Sequence, residues 1–226
     1  MTQSWRNKMI HSNITNSLDI LVNKIEDVKL TIKDEVERRF EEFKDIGKNG
    51  DELDLFSELS FCVLTANWRA KGGIKAQKFI TKEGFAHYNE EQLISKLREV
   101  GHRFPNTRSR YIVENRWIIG SLKNLLQKDI SESRRFLVEN IKGIGWKEAS
   151  HFLRNVGIED VAILDKHILK IMKNYNLVKE VPKPSWTEKK YTDLENQLRV
   201  LSKMVEEPLG KLDLYLWYME TGQIDK

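Results

Sequence analysis

At 226 residues with 40 % hydrophobic side chains the chain can bury one large core or two small ones, and 32 % charged residues with a mean hydropathy of −0.54 mark a soluble protein. No run approaches the roughly 20 apolar residues of a membrane span, and the single cysteine, Cys62, excludes an internal disulfide and any all-cysteine zinc or iron–sulfur site within one chain. The net charge of +4 and pI near 8.9 only tolerate a polyanionic partner.

Residues 1–24 mix Trp5, Arg6 and Lys8 with polar residues and lack an apolar h-region, so secretion is not expected and the reading is cytoplasmic, in a prokaryotic cell. Four prolines, twelve glycines and few alternating β-branched runs predict an all-α fold. Helices are expected over 17–46 (broken near Leu30), 53–67, 74–83, 90–100 and 106–120. The acid-rich stretch Asp34 to Asp54 falls in the first of these and just after it. Cys62, within Leu59-Ser-Phe-Cys-Val-Leu64, reads as a core residue of the second. Asn89-Glu-Glu-Gln92 resembles a capping box before the fourth, and Arg98, His102, Arg103, Arg108, Arg110 and Arg116 crowd the stretch that follows.

Further along, helices are expected over 131–140, 147–156, 166–175, 187–204 and 208–219. Ser131 offers a capping hydroxyl, Gly157 follows a helix end, and Pro208 suits a first helical turn. The proline-rich patch at 181–185 reads as a connector. Neither an internal repeat nor a low-complexity tract is found.

Between the sixth and seventh of these helices stands Ile141-Lys-Gly-Ile-Gly145. Two glycines one residue apart between short helices predict a tight hairpin with exposed backbone N–H groups, a seat for a phosphate oxygen. Lys147 follows two residues after Gly145, and Asp165 stands 18 positions further on, before Lys166 and His167. A lysine on a helix surface is ordinarily a solvated charge. Beside a phosphate seat and an acid, its amine becomes a candidate nucleophile toward a sugar carbon, provided burial or cations such as Lys142 and Lys166 favour the free base. Asp165 reads first as a helix N-cap, a role compatible with aiming its other oxygen at a site. His167 is a packed or phosphate-facing residue and is given no catalytic role.

The segment 141–157 with Asp165 downstream resembles the helix-hairpin-helix motif of the DNA glycosylase superfamily, although Leu-Asp-Lys-His replaces that superfamily's more frequent context around the aspartate. Members with lysine at this position excise a base and then nick the backbone. Leu64-Thr-Ala-Asn-Trp-Arg-Ala-Lys71, Arg103-Phe-Pro-Asn-Thr-Arg-Ser-Arg-Tyr-Ile112 and Leu214-Tyr-Leu-Trp-Tyr-Met-Glu-Thr-Gly222 narrow the resemblance to the compact, archaeal-type (type 2) 8-oxoguanine DNA glycosylases. It covers nearly everything from residue 53 on.

That resemblance implies Lys147 as nucleophile and Asp165 as the essential acid. DNA would bind at Gly143, Gly145 and Lys147, with a Na⁺ or K⁺ ion at the carbonyls of Ile141 and Ile144. Trp217 would sandwich the extruded base, and Phe104 would fill the gap left in the stack. Arg108 would address the unpaired cytosine, or equally a phosphate. Asn67 would also touch the gap, and Lys226 would recognise the lesion. Base extrusion costs a few kcal/mol, and stacking on an aromatic face returns about 1–3 kcal/mol.

The chain then forms one glycosylase unit of two helical subdomains with a DNA- and base-binding cleft between them. One subdomain holds about 1–50 and 187–226, and the other about 53–175, with the helix-hairpin-helix at about 131–157. The expected partner is double-stranded DNA containing 8-oxoguanine, with no membrane partner and no cofactor, and the protein is expected to be a monomer. Two alternatives stay open at this point: a glycosylase for another oxidised or alkylated base, and a helix-hairpin-helix protein that only grips DNA.

Overall fold

The computed structural model describes the backbone of residues 3–181 and 186–226, and side chains from residue 17 onward within those limits. Residues 182–185 of the expected connector lie outside the described residues. The described residues form eleven α-helices and a short 3₁₀ helix, with no strand among them. In chain order the helices are α1 (Gln3–Asn49), α2 (Glu52–Thr65), α3 (Ala70–His87), α4 (Glu90–Glu99), α5 (Pro105–Glu114) and α6 (Leu122–Leu126). There follow α7 (Ile130–Asn140), α8 (Trp146–Asn155), α9 (Lys166–Asn174), α10 (Glu188–Met204) and α11 (Leu209–Thr221), and the 3₁₀ helix is Asn115–Ile118.

The chain divides into two compact units. The first holds the chain up to Arg39 with Glu159–Ile224, and the second Phe40–Ile158 with Asp225 and Lys226. These bounds differ from the expected ones at three places: the end of α1 from Phe40 on belongs to the second unit, α9 and the strip before it belong to the first, and Asp225 and Lys226 return to the second.

Helix α1 is continuous where a break near Leu30 was expected. No proline or glycine interrupts it before Gly47, and its buried positions Leu21, Ile25, Ile32, Val36, Phe40 and Phe43 recur at helical spacing. Leu30 lies off that stripe and is 89 % exposed.

In the second unit, α2 is the central element, since every residue from Leu55 to Thr65 is buried. A helix buried on all sides belongs inside a bundle, and here the buried polar side chains include Glu58. Asp51 and Asp54 close a capping box at its start, as Asn89 and Gln92 do for α4. The helix expected over 106–120 ends at Glu114, and the 3₁₀ turn follows. Helix α6, absent from the sequence reading, is capped from a distance: the Glu52 carboxylate accepts from the N–H groups of Gly120 (2.8 Å), Leu122 (3.0 Å) and Lys123 (2.9 Å). The cap of α7 is Asp129 rather than Ser131, whose N–H donates to Asp129 Oδ1 at 2.8 Å. Gly157 turns the chain after α8 at φ +86°, and a side chain there would strike Lys44 Cα at 2.6 Å.

In the first unit, Val161–Leu164 is a buried strip that belongs to no helix and pairs with no strand among the described residues. Side chains of α10 satisfy it instead. The Ala162 N–H donates to Glu195 Oε1 (2.9 Å), the Leu164 N–H to the Tyr191 hydroxyl (3.1 Å), and that hydroxyl donates to the Ala162 carbonyl (2.8 Å). Pro208 is the N-cap of α11 and not part of its first turn.

Candidate active site and nucleic-acid interface

The hairpin between α7 and α8 forms as the two glycines predict. Gly143 sits at φ +81°, where a Cβ would lie 2.7 Å from the Tyr111 ring. Only glycine meets both conditions. Asn115 clamps the turn from the 3₁₀ helix, donating to the Lys142 carbonyl at 3.0 Å and accepting from the Lys142 N–H at 2.8 Å. Ile141 and Ile144 are buried beneath, and the Ile144 N–H donates to the Ile141 carbonyl at 3.3 Å.

One hairpin donor is already occupied. The Gly145 N–H donates to Glu148 Oε2 at 3.3 Å, so a carboxylate sits at the N-terminus of α8, where the helix dipole favours an anion. The other oxygen of Glu148 lies 3.0 Å from the amine of Lys147, whose side chain is 26 % exposed. The charge in contact with the amine is thus an acid that the sequence reading left out, not Lys142.

Three more of the anticipated residues gather nearby through His102. Its Nε2 contacts the Leu64 carbonyl at the end of α2 (3.0 Å), and its Nδ1 accepts the Phe104 N–H (2.9 Å). These partners place the proton on Nε2. Burial, reinforced by the Arg108 cation and opposed by the Leu64 carbonyl, lowers the pKa of His102. Trp68 covers the ring at 4.3 Å between centroids. The result is a rigid base for two loops. On one, Asn67 is exposed in the left-handed region at φ 63°. On the other, Phe104 is 38 % exposed under the Arg103 guanidinium. Arg108 is buried: its Nη2 donates to the Ala66 carbonyl at 2.7 Å, and its Nη1 borders Gly143. Burial lowers its pKa.

Lys226 belongs to the second unit and is enclosed rather than frayed. Its ammonium pairs with Glu58 on α2 and lies 4.8 Å above the Phe61 ring. Glu58, 4 % exposed, also accepts from Gln77 (2.8 Å) and Asn155 (3.2 Å), so the buried carboxylate is matched by three donors. The Lys226 backbone faces the ring of His151, one turn along α8 from Lys147. Burial, followed by the cations of Arg154 and Lys147, holds His151 well below the usual histidine value and therefore neutral, with Nε2 enclosed and without a hydrogen-bond partner among the described residues. Cys62 is the inert core residue expected, since burial pushes its thiol well up and Glu58 adds to the effect.

Asp165 and Trp217 lie in the first unit. Asp165 is the N-cap of α9, its Oδ1 accepting from the N–H groups of His167 (2.8 Å) and Ile168 (2.9 Å). Both bonds fall on one oxygen, and among the described residues Oδ2 accepts none. The strip held by Tyr191 and Glu195 ends one residue earlier and fixes where this carboxylate starts. Trp217 on α11 is half-buried and meets the His167 ring edge-on at 4.9 Å. Its indole Nε1 is enclosed without a hydrogen-bond partner among the described residues.

A helix-hairpin-helix with lysine in the first turn of the second helix is now defined, and the family profile described as 8-oxoguanine DNA glycosylase matches residues 36–207. The chain belongs to the 8-oxoguanine DNA glycosylase family. It is similar to the 8-oxoguanine DNA glycosylase/AP lyase of Thermotoga maritima, at 56 % identity over 92 % of this chain and 100 % of that one. The Methanocaldococcus jannaschii protein of the same description is 47 % identical over 92 % of this chain and all of its own. Among solved structures, the Thermotoga maritima 8-oxoguanine DNA glycosylase superposes with a TM-score of 0.90 at 56 % identity, covering 92 % of this chain and 100 % of that one. The Methanocaldococcus jannaschii glycosylase/lyase in complex with a 15mer DNA containing 8-oxoguanine gives 0.87 at 45 % identity, covering 92 % and 100 % respectively.

For a member of the 8-oxoguanine DNA glycosylase family, the residues missed by the sequence reading are those that support others. Glu148 had a readable signal, standing three residues after the cap glycine as in a capping box. Asn115, Glu58, Gln77, Tyr191 and Glu195 had none, because each acts on a residue distant in the chain. His102, counted only among the basic residues of its stretch, joins the Phe104 N–H two residues on to the Leu64 carbonyl 38 residues back.

Proposed function

We propose that the chain excises 8-oxoguanine from DNA and cleaves the strand through Lys147. The family's glycosylase and AP lyase activities supply the reaction, and the geometry around α8 supports the residue. Lys147 is the second residue of α8, directly after the hairpin, with a partly buried amine that has a single charged partner, Glu148, among the described residues. That observation carries the assignment.

The phosphodiester backbone docks on the hairpin amides of Gly143, Gly145 and Lys147, and a phosphate there competes with Glu148 for the Gly145 N–H. The carbonyls of Ile141 and Ile144 would hold a Na⁺ or K⁺ ion, for which neutral oxygens of the backbone are suitable donors. The Lys147 amine attacks C1′ of the damaged nucleotide, and the N-glycosidic bond breaks as the base leaves. The carboxylate of Asp165 stabilises the positive charge that develops on the sugar. The C1′–O4′ bond of the resulting hemiaminal breaks, O4′ takes a proton and stays on the sugar as the C4′ hydroxyl, and a Schiff base forms at C1′. Loss of a 2′ proton then breaks the C3′–O3′ bond, the 3′ phosphate leaves, and the strand opens on the 3′ side. None of these steps needs a redox cofactor or a divalent metal. Trp217 stacks on the extruded base, Phe104 and Asn67 fill the gap it leaves, Arg108 supports the face toward the unpaired base, and Lys226 contributes to lesion recognition.

We read the protein as a monomer that acts on double-stranded DNA inside the cell. Among the described residues no helix is long and apolar enough to cross a membrane. Borohydride reduction during incubation with an 8-oxoguanine duplex tests the mechanism. The unmodified protein forms a covalent adduct, and Lys147→Gln forms none. Equal trapping of the two overturns the role of Lys147.

A further inference from the structure

Helices α3 and α4 leave between them an open groove of about 640 Å³ that none of the roles above uses. Ile74, Phe79 and Val100 give it an apolar floor, and Lys71, Lys75 and Lys78 stand around it with Glu99 as the one acid. The lysines recur at i, i+4 and i+7, which aligns them along one face of α3. All three are exposed, and none forms an ion pair among the described residues. Lys82, just past the kink that Thr81 makes in α3 at φ 64°, is by contrast held by Asp51 and Asp54, each at 2.9 Å. A fourth ammonium, that of Lys96, lies 4.3 Å over the ring of Phe79, itself 41 % exposed.

The groove also has a defined neighbourhood. Helix α3 starts immediately after the turn carrying Asn67, and α4 ends immediately before the loop carrying Phe104. His102 and Trp68 fasten those two loops together. Four cations against one carboxylate repel one another until a polyanion neutralises them. The three lysines of α3 cover about 10 Å of helix axis at 1.5 Å per residue. That length equals the rise of about three nucleotides along one strand of B-form DNA.

We propose that this groove grips the DNA strand flanking the lesion, with phosphates against Lys71, Lys75 and Lys78 and the apolar faces of sugar and base against Ile74, Phe79 and Val100. A nucleotide presents that pairing of anionic and apolar surface. The proposal rests on the reading of the chain as a DNA glycosylase, and its test separates the two. Binding of an 8-oxoguanine duplex is followed by fluorescence anisotropy over a series of salt concentrations, with long flanks and with flanks cut back toward the lesion. The triple variant Lys71→Gln, Lys75→Gln, Lys78→Gln is compared with the unmodified protein, and Lys82→Gln serves as control.

For the long duplex, the slope of log K against log salt falls by about 2–3 in the triple variant, at roughly 0.9 per phosphate contact. Lys82→Gln leaves it unchanged, and shortening the flank removes the difference. Borohydride trapping at saturating enzyme stays at the unmodified level. An unchanged slope in a triple variant that melts normally overturns the groove as a DNA contact, as does an equal loss on both duplex lengths. Failure of the unmodified protein to trap refutes the role of Lys147 instead, and leaves the salt slopes to decide the groove.

Discussion

The observed cap at Asp165 and the electrostatic role proposed for it are separable, and a pair of substitutions divides them. Its Oδ1 accepts both N–H bonds at the start of α9, at 2.8 and 2.9 Å, while Oδ2 accepts none among the described residues. Asp165→Asn keeps an oxygen at the cap, and asparagine caps about as well as aspartate, so stability should change by no more than a few tenths of a kcal/mol. Asp165→Ala removes both bonds and costs about 1 kcal/mol, a fall in Tm of roughly 2–4 °C for a chain of this size. The charge is lost in both. A carboxylate about 4 Å from a developing cation contributes about 4 kcal/mol at an effective dielectric of about 20, equivalent to roughly a thousandfold in rate. Thermal melts, duplex binding and single-turnover excision with enzyme in excess measure the three quantities. Asp165→Asn should melt and bind like the unmodified protein and excise about a thousandfold more slowly. Excision within tenfold of normal would refute the electrostatic role, and a Tm equally depressed in both variants would refute the cap.

Three further outcomes follow from the described contacts. His102 and His151 are both held neutral by burial, so below the ordinary histidine value of 6.5 the unfolded chain binds more protons than the folded one. Stability is therefore full above that value and is lost as pH falls through it. Thermal melts from pH 8 to pH 5 should show the decline, and His102→Gln with His151→Gln should flatten it. Asp51, lowered to about 2 chiefly by Lys82 and the Asp54 amide, acts only at more acidic pH. Tyr191→Phe leaves the Ala162 carbonyl and Leu164 N–H without their hydroxyl partner, at about 1–3 kcal/mol, and loosens the approach to Asp165. Its Tm should fall and its single-turnover excision should slow more than its DNA affinity weakens; unchanged excision would dismiss the positioning role. Gly143→Ala forces a side chain into the left-handed region and against Tyr111, so duplex affinity measured by anisotropy should drop, while an unchanged value would show that the hairpin is not a docking seat.

The features legible from sequence are those whose cause is local. Helical periodicity revealed ten of the helices, Asn89 and Gln92 announced a capping box, and Asp165 before an amphipathic run announced the cap of α9. Two glycines between helical segments announced the hairpin, and Gly143 takes the left-handed backbone at φ +81° that its turn requires, while Gly145 caps α8 in extended backbone. Tertiary structure decided whatever depends on partners far along the chain. Helix α6 exists because Glu52, about 70 residues earlier, caps it. Lys226 is enclosed because Glu58, 168 positions away, holds its ammonium. Arg108 supports the Ala66 turn from within rather than standing in solvent. The continuity of α1 past Leu30 likewise depends on which face meets a core. Local signals fix short-range backbone geometry, but a buried charge or an unpaired carbonyl is satisfied by whichever group the fold delivers, and that choice leaves no periodic trace in the sequence.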